Sequence, residues 1–161
     1  MLHHTGDCRQ AFRRISRLAK PGGYIIVGLY SAFSRKLRYA RRGLYRATGL
    51  APRWLDPHFG RMSGAGKTEA WFQDQYCHPH ETCHTLDEVL RWMEADGLEF
   101  VNSIPKPATG PVLTPDEQLF TPRDAGHAVG RMLSQLADLG SGYREGGFFT
   151  MIGRRRAEPV R

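Results

Sequence analysis

Cysteine is scarce: there are three in 161 residues, at irregular spacing. An odd number of unpaired thiols argues against a disulfide framework and for a reducing compartment, so a cytoplasmic location is expected. Long apolar runs are also missing. The longest stretch without a charge, Pro21 to Ser34, is well short of the roughly 20 apolar residues that cross a bilayer, and glycines interrupt it. Met1-Leu2-His3-His4 leads into polar residues and not into the apolar core of a secretory signal, so neither a membrane span nor export is expected. Negative charge is in deficit as well. Asp and Glu number 16 against 23 Lys and Arg, a formal charge of +7. That excess suits nucleic acid or acidic lipid as a partner without selecting either. There is no internal repeat and no low-complexity run. At about 150 residues per domain, residues 1–161 form a single domain.

Hydrophobic periodicity then marks the elements. Asp7 with Gln10 forms a capping-box variant that opens a helix predicted to reach Ala19. Its apolar face is Cys8, Phe12, Ile15 and Ala19, with Ala11 and Leu18 beside it, and its polar face is rich in arginine. Lys20-Pro21-Gly22-Gly23 stops it. Tyr24 to Tyr30 is apolar at both parities, the pattern of a strand buried on both faces in a parallel sheet. Thr85 with Glu88 caps a helix whose stripe is Leu86, Val89, Leu90 and Met93. Leu98–Ile104 is the next strand. A third helix is expected from Thr121-Pro122, with Ala125, Val129, Met132, Leu133 and Leu136 turned inward. Residues 147–153 form the last strand, closed by arginines. The alternation predicts an α/β fold with an incomplete sheet, because only Met1 to His4 precede the first helix and the 24–30 strand needs neighbours.

The order Leu2-His3-His4-Thr5, capped helix, Leu18-Ala19-Lys20-Pro21-Gly22-Gly23, buried strand resembles the downstream half of a class I S-adenosylmethionine-dependent methyltransferase. In that family a fourth strand ends in a Leu-His-His-like motif, and a Pro-Gly-Gly turn leads into the fifth strand. The 147–153 segment is similar to the family's antiparallel seventh strand. The run Trp71 to Thr85, with Asp74-Gln75-Tyr76-Cys77-His78-Pro79-His80-Glu81 at its centre, resembles a bacterial branch. The resemblance implies a Rossmann-like sheet with strands at about 24–30, 98–104 and 147–153, and a cap-like insertion over 31–84. It further implies S-adenosylmethionine as cofactor and methyl transfer to an unknown acceptor. The family's first strand, Gly-rich loop and ribose-binding acid have no counterpart in the chain, so it is expected to be inactive alone and to need an upstream half or self-association.

By this resemblance His3 and His4 would be catalytic, Leu2 and His3 would touch the cofactor, and Tyr30, Tyr76, His78, His80, Glu81 and His84 would wall the acceptor pocket. Histidine titrates near neutrality, and the carboxyl ends of strands are where open α/β sheets bind ligands. Tyr30 serves equally as packing against the following helix. Cys77 to His84 offers many donor atoms, but structural zinc sites take two ligand pairs across a longer loop, so no metal is expected. Ser63-Gly64-Ala65-Gly66-Lys67-Thr68 lacks the first glycine of a phosphate loop and reads as a turn. Residues 35–46 form a basic amphipathic helix with Leu37, Ala40, Leu44 and Tyr45 as its stripe. It suits RNA or an anionic surface, but a solvated cap helix is favoured. The alternative to an enzyme is a non-catalytic remnant or basic binding module for RNA or a partner subunit.

Overall fold

The computed structural model describes residues 2–49, 64–73, 77, 81–107, 116–140 and 147–157. It is a mixed α/β fold with an open four-stranded sheet and flanking helices. The strands are β1 (Tyr24–Ser31), β2 (Cys83–His84), β3 (Leu98–Ile104) and β4 (Phe148–Arg155), in the order β2-β1-β4-β3. The helices are α1 (Cys8–Ser16), α2 (Lys36–Thr48), α3 (Ala65–Phe72), α4 (Leu86–Ala95) and α5 (Ala128–Gly140). β4 runs antiparallel to both neighbours, from Tyr24↔Arg154 to Tyr30↔Phe148 against β1, and with a bulge between Phe100 and Asn102 against β3. β2 pairs in parallel with β1 at Tyr30↔Cys83 and Ser31↔His84.

Both expected caps form. Asp7 Oδ1 accepts from the Gln10 amide at 2.8 Å, and Thr85 Oγ1 accepts from the Glu88 amide at 3.1 Å, satisfying donors that a helix start leaves unpaired. α1 and α4 lie on one face of the sheet. Cys8, Phe12, Leu86, Val89, Trp92 and Met93 pack there on Val27, Leu29, Phe149 and Met151. At roughly 25 cal/mol per Å² of apolar area removed from water, this cluster is the main source of stability.

Four local expectations need correction. α1 ends at Ser16, because Arg17 and the Lys20–Gly23 turn take over, so Leu18 falls off the helix and is 81% exposed. The third helix begins at Ala128, not at Thr121. The Arg123 amide bonds to the Val101 carbonyl at 2.8 Å, and Gly126 is left-handed (φ 67°), which breaks any helix across it. The Gly64–Thr68 stretch is not a turn: α3 starts at Ala65. Leu2–His4 is a single 3-10 turn and not a strand stub, although it is tied in as the His3 carbonyl accepts from the Thr82 amide at 2.9 Å.

β1 is apolar at both parities but covered unevenly. Val27 and Leu29 are buried under the two helices, while Ile26, on the other face, is 57% exposed. That second face is closed only toward the end of the strand, where Phe148 lies over Gly28.

Candidate functional site

The carboxyl end of β1 gathers side chains from five segments. His3 is completely buried, with its ring 4.3 Å from His4, 4.4 Å from Tyr30 and 6.1 Å from Phe148 (centroid separations). Among the described residues neither ring nitrogen meets a hydrogen-bond partner. Burial, then the neighbouring His4, push its pKa down to about 4. His3 is therefore neutral at physiological pH, since a desolvated imidazolium with cations nearby is unfavourable.

Arg35, just before α2, is the second buried group. Its guanidinium lies 3.5 Å from the Tyr30 ring centroid and grips the Glu81 carboxylate with two nitrogens, Nε at 2.7 Å from Oε1 and Nη2 on Oε2. A bidentate pair of this kind is tolerated in the interior because geometry and hydrogen bonding offset desolvation. Beyond it, Tyr39 Oη lies 3.0 Å from Cys83 Sγ and 3.4 Å from Glu81 Oε1. Burial raises the pKa of Cys83, and burial together with Cys83 raises that of Tyr39, so both stay protonated.

The structure thus brings together His3, His4, Tyr30 and Glu81 from the expected set. Leu2 packs against the core. His84 is placed on the other face, where Nδ1 is 3.1 Å from Glu88 Oε2, Nε2 is 3.0 Å from Thr82 Oγ1, and the ring lies 4.8 Å from Trp92. Alternation along β2 separates it from Cys83, since successive side chains point to opposite faces. Tyr76, His78 and His80 lie outside the described residues. Arg35, Tyr39, Cys83 and Phe148 join the cluster without having been expected.

The 35–46 segment, expected as a solvated basic helix, instead turns arginines inward. Arg35, Arg38 and Arg42 share one helical face and are buried, whereas Leu44, from the expected apolar stripe, is exposed. Among the described residues, no group of His, Cys, Asp and Glu is arranged to hold a metal, and no helix is long and apolar enough to cross a membrane. A cavity of about 580 Å³ lies elsewhere, between α4, β3 and the entry to α5, lined by Asp87, Leu90, Glu94, Phe100 and Arg131 among others.

No known protein family matches the chain, and no curated protein does. Among solved structures it is similar to one chain of a complex between the Haloferax volcanii Trm112 methyltransferase activator and a candidate methyltransferase, at 15% identity and a TM-score of 0.43. The similarity covers 96% of this chain and 50% of that one, so the chain spans half the length of its structural neighbour.

Proposed function

We propose that this chain is the acceptor-side part of a Rossmann-like, S-adenosylmethionine-dependent methyltransferase. One observation carries the reading. The His3-His4 turn, the capped helix and the Pro-Gly-Gly turn precede β1 in order, and the histidines come to rest at the carboxyl end of β1, where open α/β sheets place their ligands.

The described residues do not by themselves build a cradle for the cofactor. Glu81, the carboxylate in the cluster, is occupied by Arg35, His3 is fully enclosed, and Leu2 is turned into the core. Among the described residues of this cluster, no carboxylate is left free to take the ribose hydroxyls. The methyl donor supplies a sulfonium methyl group and leaves as a neutral thioether, so the protein contributes alignment, exclusion of water and, for a protonated acceptor, a base. In this reading His4, half-buried beside His3, takes that proton. Tyr30, held between Arg35 and His3, makes the rigid wall. His3 is a positioning residue that sets the His4 ring.

Calorimetric titration with S-adenosylmethionine tests this. The chain alone is expected to show no binding at micromolar concentration, and binding is expected when a Gly-rich strand-turn-helix, encoded upstream or supplied as a second polypeptide, is joined to it. In that completed protein His4→Ala is expected to slow methyl transfer by about 10²-fold or more, the usual effect of losing a general base. Micromolar binding by the chain alone would refute the incomplete cradle, and no binding by the completed protein would refute the methyltransferase reading.

A further inference from the structure

The end of the sheet opposite the histidines has a different character. It collects the amino end of β1, the carboxyl end of β4 and the turn after α1. The turn is stitched to β4: the Gly22 amide donates to the Arg155 carbonyl at 3.0 Å, and the Arg155 amide donates to the Gly23 carbonyl at 2.8 Å. Lys20 opens the turn, its carbonyl accepting from the Gly23 amide at 2.8 Å, and Arg154 Nε donates to the Gly22 carbonyl at 3.1 Å, so both cations belong to this pole. Arg17, the residue that ends α1, adds a third cation three positions before Lys20. All three cations are exposed, and among the described residues none has a carboxylate within salt-bridge distance. The nearby acids are engaged elsewhere, Asp96 with Arg9 and Arg13, and Glu99 with Arg156.

The same pole carries open aromatic surface. Tyr24 is 44% exposed and Phe120 50%, with their rings edge to face at 5.0 Å. The Arg154 guanidinium is 5.7 Å from the Tyr24 ring centroid, and Ile26 continues the exposed strip along the same face of β1. Burying such rings would stabilise the protein, yet they remain in water next to unneutralised cations.

We propose that this pole binds single-stranded nucleic acid, with Arg17, Lys20 and Arg154 along the phosphates and Tyr24 and Phe120 as the platform on which bases stack. Each half of the arrangement has its own physical role. Cations released from phosphates drive affinity with a strong salt dependence, and aromatic faces accept any base. An open sheet face bearing aromatics is a geometry suited to splayed bases. An anionic membrane is disfavoured by the same geometry, because Tyr24 and Ile26 lie on the flat of a strand and do not project from a tip that could reach acyl chains. The proposal does not depend on the methyltransferase reading.

The test is fluorescence anisotropy of the full chain with labelled oligouridylate, across a series of salt concentrations. Binding that weakens log-linearly with salt is expected. K20Q/R154Q should flatten that slope by about 1.4, at roughly 0.7 per phosphate contact on a single strand. Tyr24→Ala should weaken binding about tenfold, the scale of one lost stack, at unchanged slope. Tyr24→Phe and Arg154→Lys should bind as the parent does, which separates stacking and charge from misfolding. Salt-insensitive or absent binding, equal loss in the conservative variants, or capture by phosphatidylserine vesicles in preference to the oligonucleotide would each overturn the proposal.

Discussion

His3 shows how a single residue couples position to pH. Its folded-state pKa is about 4 against an ordinary 6.5, so above pH 6.5 both folded and unfolded states hold it neutral and it exerts no pull. As pH falls below 6.5 the unfolded chain takes up a proton that the folded chain refuses. Stability is then lost progressively until about pH 4, where the folded ring also protonates. Urea midpoints measured between pH 7.5 and 4 should show this decline, and His3→Phe, which keeps an aromatic ring but has no titration, should flatten it. Parallel curves for both proteins would remove His3 as the cause. The Arg35–Glu81 pair behaves differently. Glu81→Gln strands a buried guanidinium and should cost about 3–5 kcal/mol in denaturant unfolding. R35M/E81L should cost less than either single change, because no charge is left uncompensated. Additive losses would contradict that coupling.

At the scale of the element, faces were harder to foresee than spans. α4 was legible from its cap and stripe, because Thr85 and Leu86, Val89 and Met93 act locally and in one direction. α5 turned over. Its expected inner residues Val129, Met132, Leu133 and Leu136 face water, and Ser134 and Gln135 are buried. The cause lies on α4, whose first amides and Asp87 need partners. Gln135 Oε1 accepts from the Leu86 amide at 3.2 Å, and Arg131 Nε donates to Asp87 Oδ1 at 2.9 Å. Pairing these groups avoids the cost of leaving a buried donor unsatisfied, about 1–3 kcal/mol each, and the polar face is the one turned inward. β1 holds a second constraint invisible in its own pattern. A side chain at Gly28 would collide with the Phe148 ring, so Gly28→Ala should destabilise by about 1–3 kcal/mol through overpacking. G28A/F148L should recover part of that loss; an unchanged melting temperature in Gly28→Ala would mean the ring moves freely aside.

For the whole molecule, the open sheet and the exposed face of α5 act together. Among the described residues β1 is paired along its length by β4 and by β2 at two positions, and four large apolar side chains of α5 are in water. Contiguous exposed apolar surface favours association, and an edge strand without charge or proline does nothing to prevent it. The chain is expected to self-associate with rising concentration in sedimentation velocity, and L133E/V129K should shift it toward monomer. A single monomeric boundary at all concentrations would show that the exposed face is well tolerated.

Capping, the apolar strand cores and the positive charge were determined by the sequence alone, because they arise from interactions within a turn or from composition. So was the histidine pair at the start of the chain as a point of interest. Which side of β1, α2 and α5 meets protein, and that Arg35 and Glu81 close over Tyr30 while His84 turns away, was decided only in the tertiary structure. A residue's burial depends on what the rest of the chain lays over it, and the strongest demand there was electrostatic. Buried carboxylates, guanidinium groups and amides had to find one another across long sequence separations, and apolar stripes were left exposed where that demand required it.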